Sequence, residues 1–100
     1  MTDKEIAINM VSKVTGVAKS KILSSTRVWP AVEARQMIVL ILAKDGYTDE
    51  SIGLALNRKR CAILKSRTNA LHSTLLSVVF REKFNKAREM YEHEKSLRTS

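Results

Sequence analysis

The chain has 100 residues, enough for one small domain, and 44% of them are hydrophobic, so we expect a folded core rather than a disordered basic tail. No apolar run is long enough to span a membrane, no secretory signal is visible, and a lone cysteine, Cys61, excludes an internal disulfide and a cysteine-rich zinc site. Eighteen Lys and Arg against ten Asp and Glu give a net charge of +8, which favours a polyanionic partner.

The first half of the chain predicts three helices. The first begins at Thr2 or Asp3 and ends near Gly16, with an apolar stripe of Ile6, Met10, Val11 and Val14. A short second helix covers residues 18–24 and turns Ile22 and Leu23 inward.

A loop over residues 27–30 precedes the third helix. In this loop Trp29 could stack on a base or, as we expect, anchor through its apolar rim against the helix that follows. The third helix covers residues 30–44 and is apolar on nearly every side, which predicts that it is central and buried.

The second half of the chain predicts three more helices. Thr48 caps a short helix over residues 49–56, and Asn57 separates it from a fifth helix over residues 59–75. A break near Ser73 and Thr74 leads to a sixth helix over residues 77–95, whose expected apolar stripe is Val78, Val79, Phe84, Ala87 and Tyr91. The chain is therefore predicted to be all-α, a compact bundle of about five to six helices in one domain over 1–95, with a frayed tail over 96–100.

The excess positive charge is local. Residues 58–81 hold six basic side chains and no acidic one, whereas the segments before and after them each carry a net charge of +1. A one-signed segment in an otherwise balanced domain repels itself, so a polyanionic partner would explain its presence.

The fourth and fifth helices fit the pattern of a helix-turn-helix. Ile52, Gly53, Leu56, Asn57 and Ile63 occupy its expected roles, with Gly53 for close helix approach and Asn57 for a left-handed turn. The position after the turn, which is usually apolar, is basic here.

A helical projection of the fifth helix assigns one stripe to the core and the opposite face to a partner. The stripe predicted to be buried comprises Ile63, Leu64, Ala70, Leu71 and Leu75. The outward face comprises Ala62, Lys65, Ser66 and Asn69, flanked by Lys59, Cys61 and His72. These outward groups are of the kinds that contact phosphates and base edges in a major groove.

Several short motifs support a family resemblance. The chain reads Ile22-Leu23-Ser24, then Ala34-Arg35-Gln36-Met37, and then Leu42-Ala43-Lys44 followed by Ser51-Ile52-Gly53-Leu54-Ala55-Leu56. In this order and spacing, these motifs resemble the "LLS", "PRQM" and "LAKEL…EIGDAF" stretches of the C-terminal DNA-binding domain of the bacterial replication initiator DnaA, which is related in fold to the Trp repressor. The resemblance covers about residues 6–71.

The resemblance implies a DNA-binding domain with an altered recognition sequence. The family signature "GGRDHTTVLHA" is one residue shorter here, over residues 57–66, and Lys59, Arg60, Cys61 and Ala62 replace its Asp, His and two Thr. Arg27 retains part of a basic minor-groove loop, and Arg35 matches an arginine near the phosphate backbone. More cations and fewer base-reading groups imply stronger salt-dependent binding and a preference distinct from the DnaA box.

We therefore expect a bacterial or phage protein of the cytoplasm, associated with the nucleoid, that binds double-stranded DNA in replication or transcription control. The expected DNA contacts are Arg27, Arg35, Arg58, Lys59, Arg60, Lys65, Ser66 and Asn69. The alternative is a DnaA-like adaptor that binds a replication protein or forms a homodimer, with the sixth helix as a dimer face. Neither a catalytic constellation nor a phosphate-cradling glycine loop is visible, and His72 and His93 lack further ligands at metal-binding spacing, so no enzyme, small-molecule substrate, cofactor or metal is expected.

Overall fold

The fold is all helical, as predicted. The structure, a computed structural model, describes the backbone of residues 1–99 and the side chains of residues 1–98. This part of the chain contains six helices and no strand. The helices are α1 (Asp3–Thr15), α2 (Lys19–Ile22), α3 (Trp29–Lys44), α4 (Asp49–Leu56), α5 (Arg60–Leu76) and α6 (Val78–Thr99).

Helix α1 has the ends that its sequence predicts. The Thr2 hydroxyl accepts a hydrogen bond from the backbone N–H of Glu5, whose carboxylate accepts in turn from the N–H of Thr2. Gly16 ends the helix with φ of 76°, a conformation that glycine adopts without the steric penalty of a side chain. The expected stripe faces the core, with Ile6, Met10 and Val11 buried and Val14 half-buried.

Helix α3 is the centre of the molecule. It contacts all five other helices, and the run from residue 36 to residue 42 is buried. It begins at Trp29, one residue earlier than predicted, with Pro30 in the first turn where its missing N–H leaves no bond unmade. This central position explains why its apolar residues are not confined to one stripe.

Helices α4 and α5 are joined by a tight turn over residues 57–59. Thr48 caps α4, and Asn57 ends it in the left-handed conformation with φ of 60°, as predicted. Gly53 is buried at the closest approach, because a Cβ atom there would lie 2.5 Å from the backbone oxygen of Arg58. The backbone N–H of Arg58 donates to the carbonyl oxygen of Gly53 at 2.8 Å and closes the turn.

Helix α6 packs mainly on α1 and α5 and completes the core with Phe80, Phe84, Ala87 and Tyr91. The break before it falls at Ser77, rather than near Ser73 and Thr74, because the Ser77 hydroxyl accepts from the N–H of Phe80 and starts the new helix.

The other differences from prediction lie at helix ends and on the apolar stripe of α6. Val78 and Val79, placed in that stripe, are exposed, because the first turn of α6 reaches the core through Phe80 and leaves both valines facing solvent. The helix continues to Thr99 instead of ending at residue 95, while Ser100 of the predicted tail lies outside the described residues. Helix α2 is limited to four residues, so Leu23 follows it and is 38% exposed instead of buried.

Within residues 1–99, no helix is both long enough and apolar enough to cross a membrane.

Candidate nucleic-acid interface

Helix α5 is rotated relative to the predicted orientation. Ile63 and Ala70 are buried as expected, but Leu64, Leu71 and Leu75 are 51%, 43% and 77% exposed. The inward side is completed instead by half-buried Ser66, Arg67, Ser73 and Thr74. At about 100° per residue, this difference is a rotation of roughly 70° about the helix axis. The prediction that the leucine stripe lies in the core is therefore wrong.

Two polar contacts explain the rotation. Arg67 donates to the Asp49 carboxylate through Nε at 3.1 Å and through Nη2 at 2.9 Å, which draws this flank of α5 onto α4. On the other flank the Ser73 hydroxyl lies 3.4 Å from the Oε1 atom of Gln36 on α3. Small side chains allow α3 and α5 to approach closely here, whereas the leucines would have enforced a wider spacing.

Four of the predicted contact residues present free cationic groups. Arg27, Lys59, Arg60 and Lys65 are exposed, and none of their side chains forms a hydrogen bond or ion pair with residues 1–98. We call these four residues the basic cluster. Asn69 is also exposed, one turn beyond Lys65 along α5, and its amide can both donate and accept.

The N-terminus of α5 adds to this positive potential. Lys59 is the N-cap residue, its side chain makes no capping bond, and the first turn contains no acidic residue. The partial positive charge of a helix N-terminus is usually balanced by a carboxylate or a capping oxygen. Here cations occupy the place of those groups, so this end of α5 is suited to an anion.

Arg58 connects the turn before α5 to the loop before α3. Its Nη2 atom donates to the carbonyl oxygen of Ser24 at 2.6 Å, and its Nη1 atom donates to the carbonyl oxygen of Asn57 at 3.3 Å. Because Ser24 lies three residues before Arg27, this bond holds the loop that carries Arg27 beside the start of α5. The half-buried Arg58 thus positions the loop through two of its five N–H donors.

Arg35, expected to contact phosphate, is instead part of the fold. It is only 7% exposed, and its guanidinium donates to four backbone carbonyls, those of Lys21, Ile22, Ser24 and Thr26. Burial, with a smaller effect from nearby Arg58, lowers the pKa of Arg35 below its usual value. Since its donors are used inside the protein, Arg35 is not available as a phosphate clamp, and that expectation is corrected.

Ser66 also differs from its predicted role. It is half-buried and lines the cleft between α3 and α5 beside Val32, Arg35 and Arg58. The rotation of α5 turns this hydroxyl away from the outward face on which the helical projection had placed it. Of the eight predicted contacts, five are therefore exposed and free, one positions the loop, and two lie within the fold.

The remaining singled-out residues are on the surface. Trp29 is the first residue of α3 and is 59% exposed, so most of its side chain is open to solvent, and its anchoring by the apolar rim stays a prediction. Cys61 is exposed on the first turn of α5. In residues 1–98 no group of three or more His, Cys, Asp or Glu side chains is arranged to hold a metal ion.

No protein-family model matches the chain, and no curated protein matches it at a significant level.

Proposed function

We propose that the protein binds double-stranded DNA, with α4 and α5 acting as a helix-turn-helix and the N-terminal half of α5 entering a major groove. The basic cluster contacts phosphates or base edges, and Asn69 reads a base edge further along α5. The motifs that resemble the DnaA C-terminal domain support a role in replication or transcription control, in the cytoplasm and on the nucleoid.

The observation that carries this proposal is the unneutralised basic cluster at one end of a helix. A carboxylate that could neutralise a cation of α5 lies nearby, since Asp49 of α4 pairs with Arg67 of α5. Lys59, Arg60 and Lys65 are nevertheless left without a partner inside residues 1–98. Adjacent unpaired cations are unfavourable in the free protein, and a polyanion removes that penalty on binding.

The tight turn between α4 and α5 supports the same reading. Gly53 permits the close approach, Asn57 supplies the left-handed residue, and Ile63 packs beside Gly53 in the core. In a helix-turn-helix, these features orient the second helix so that its N-terminal residues reach base edges. Arg27 would then contact the backbone beside the groove, because the Arg58–Ser24 bond keeps its loop next to α5.

The first test is the salt dependence of binding to a random-sequence duplex, followed by fluorescence anisotropy. Each phosphate neutralised on B-DNA contributes about −0.9 to the slope of log affinity against log salt. For four free cations we expect a slope of about −3 to −4, and for the double variant Lys59→Ala/Lys65→Ala a slope closer to −2 with much weaker binding.

The matched control is Lys83→Ala/Lys86→Ala, which removes the same charge from α6. This variant should retain nearly the wild-type slope. Affinity that does not change between low and moderate salt, or equal losses in the two double variants, would contradict the proposed interface. Selection of sites from random duplexes then measures sequence preference, which Asn69→Ala should relax at one or two base positions.

A DnaA-like adaptor remains the second candidate, because one surface away from the basic cluster carries exposed apolar side chains. Sedimentation of the pure protein with and without duplex DNA separates the two candidates. A dimer that ignores DNA would favour the adaptor.

A further inference from the structure

The corner between α5 and α6 carries several exposed large apolar side chains that are close together in the chain. Leu75 and Leu76 end α5 at 77% and 86% exposure, and Val78 begins α6 at 57%. Large apolar side chains clustered on the surface of a small domain are typical of an interaction site, whereas single ones are common and need no explanation.

An open groove of about 290 Å³ runs along this corner. Its apolar part is formed by Leu71 and Leu75 of α5 and by Phe84 of α6, whose ring is otherwise buried. The groove lies at the lower end of the size of small-molecule sites, which is about 300–1,000 Å³, and it is open to solvent along its length. Its shape therefore suits the side chains of a docked peptide better than an enclosed ligand.

The spacing of the exposed side chains along α5 favours a helical occupant. Leu64, Thr68, Leu71 and Leu75 follow one another at intervals of four, three and four residues and are all exposed. This is the stripe by which one amphipathic helix packs along another. Leu71 and Leu75 of this stripe line the groove, whereas Leu64 lines a separate cleft toward the start of α5 with Asp49, Glu50 and Arg60.

The rim of the groove carries only positive charge. Lys44, Arg81 and Arg88 line it together with the leucines, and no acidic residue does. Arg81 uses one nitrogen, Nη1, to donate to the carbonyl oxygen of Thr74 at 3.2 Å, whereas Lys44 and Arg88 make no hydrogen bond or ion pair with residues 1–98. A partner that fits this rim must bring carboxylates next to its apolar residues.

From this geometry we infer that the groove at the α5–α6 corner, the corner groove, binds an acidic amphipathic helix of a partner protein. The leucine or aromatic side chains of that helix lie on Leu71, Leu75 and Phe84, and its carboxylates pair with Lys44, Arg81 and Arg88. A second copy of this chain fits less well, because a two-fold contact across the groove would set these cations against their own counterparts. Duplex DNA fits less well too, because it would leave the leucines uncovered.

The experiment is an NMR titration of the ¹⁵N-labelled protein, without DNA, using a synthetic peptide of about 18 residues, five helical turns long. The peptide has leucines at helical spacing on one face and glutamates on the others. We expect shift changes confined to the corner groove, and binding at least tenfold weaker for a control peptide with lysines in place of the glutamates.

Two variants identify the contacts. Leu75→Ser removes an exposed apolar contact without disturbing the core and should weaken peptide binding about tenfold while leaving duplex binding unchanged. Lys44→Glu/Arg88→Glu should reverse the preference, so that the lysine peptide binds more tightly than the glutamate peptide. The amide spectrum of each variant checks that it is folded.

Three results would overturn the inference. The glutamate and lysine peptides could bind equally tightly, or duplex DNA could change the chemical shifts of the same groove residues. The protein could also sediment as a dimer that Leu75→Ser dissociates. Because the peptide titration contains no DNA, its failure would leave the proposed DNA-binding function standing, and failure of the DNA test would leave the corner groove standing.

Discussion

Gly53 is the residue on which the close approach of α4 to the start of α5 depends. A Cβ atom there would lie 2.5 Å from the carbonyl oxygen of Arg58 and 3.4 Å from Cγ1 of Ile63. The first neighbour is backbone and cannot rotate away, so the turn itself would have to move. The same carbonyl belongs to the residue whose guanidinium holds the loop carrying Arg27, so the strain would reach the proposed interface.

We predict that Gly53→Ala destabilises the protein by about 1–3 kcal/mol, although alanine is the better helix former by about 1 kcal/mol. The measurement is urea unfolding followed by circular dichroism. Leu54→Ala is the matched control on the same helix, because Leu54 is exposed, and its change should stay within about 0.5 kcal/mol. If Gly53→Ala were stabilising, the approach of α4 to the turn would be looser than described.

The arginines show that residue type alone does not predict the role of a side chain in the structure. Arg35 is enclosed by backbone carbonyls, Arg58 links a loop to a turn, and Arg67 pairs with Asp49, whereas Arg27 and Arg60 are free. All five contribute equally to the net charge in the sequence. Their roles depend on contacts between segments far apart in the chain, which local sequence patterns do not specify.

At the scale of helices, α6 is fixed to the end of α3 through one carboxylate. The Oδ2 atom of Asp45 accepts from the hydroxyl of Tyr91 and from the Nζ atom of Lys95, each at 2.6 Å. Burial alone would raise the pKa of Asp45, but the hydrogen bonds from Lys95 and Tyr91, together with the positive charges of Lys95 and Arg88, outweigh burial and hold that pKa below its usual value. A carboxyl whose pKa is lowered on folding stabilises the protein above the unfolded-state pKa and loses that effect as pH falls through the folded-state pKa.

We therefore predict that Asp45→Asn lowers the free energy of unfolding by about 1 kcal/mol at pH 7, the net value of a partly exposed charged hydrogen bond. The difference from wild type should shrink as the pH falls below about 4, the unfolded-state pKa of an aspartate, and through the lower pKa of folded Asp45. Urea midpoints measured from pH 7 to pH 2 test this. Glu89→Gln removes an exposed carboxylate from α6 and should change the free energy of unfolding little at either end of this pH range. A constant difference at all pH values would mean that the charge of Asp45 is not what holds α6.

The helices could be predicted from the sequence because their ends are specified locally. Thr2, Gly16, Thr48 and Asn57 each act on neighbouring backbone groups, and each is used as its residue type suggests. The break before α6 was placed a turn early because Ser73, Thr74 and Ser77 are all capable caps, and only tertiary packing distinguishes them. Capping chemistry thus predicts the existence and approximate position of a helix reliably. It does not predict which of several equivalent capping residues ends the helix.

The orientation of α5 could not be predicted in the same way. A helical projection assumes that the most apolar stripe is buried, and on α5 that stripe is Leu64, Leu71 and Leu75. The assumption fails because a charged pair, Arg67 with Asp49, lies on the inward side. Lys59, Arg60, Lys65 and Asn69 are exposed as the sequence predicts, because the rotation leaves their side of the helix end facing solvent, whereas Ser66 lies further inward than predicted.

For the whole molecule, the positive charge that favours DNA binding lowers the stability of the free protein. The proposed interface carries Arg27, Lys59, Arg60 and Lys65 without an ion pair inside residues 1–98, although Asp49 and Glu50 of α4 line the same cleft as Arg60. Like charges held together raise the free energy of the folded state more than that of the expanded unfolded chain. Salt screens exposed charges over about 10 Å at 0.1 M, so it should relieve this repulsion in the free protein. The same salt weakens DNA binding, because fewer counterions are released on association.

Sodium chloride should therefore have opposite effects on the two properties. Between 20 and 300 mM we expect the Tm of the free protein to rise while its affinity for duplex DNA falls. At the lower concentration, Lys59→Ala/Lys65→Ala should exceed the wild-type stability by about 0.5–1 kcal/mol, since it also removes a cation from the positive end of α5. Its Tm should rise less with salt than that of the wild type.

Lys83→Ala/Lys86→Ala removes cations from α6, where Glu82 and Glu89 are nearby along the helix, and should gain no stability. If both double variants gained stability equally, the repulsion would come from the net charge of the whole protein. A gain confined to the α5 variant would place it in the basic cluster, where DNA binding would then relieve it.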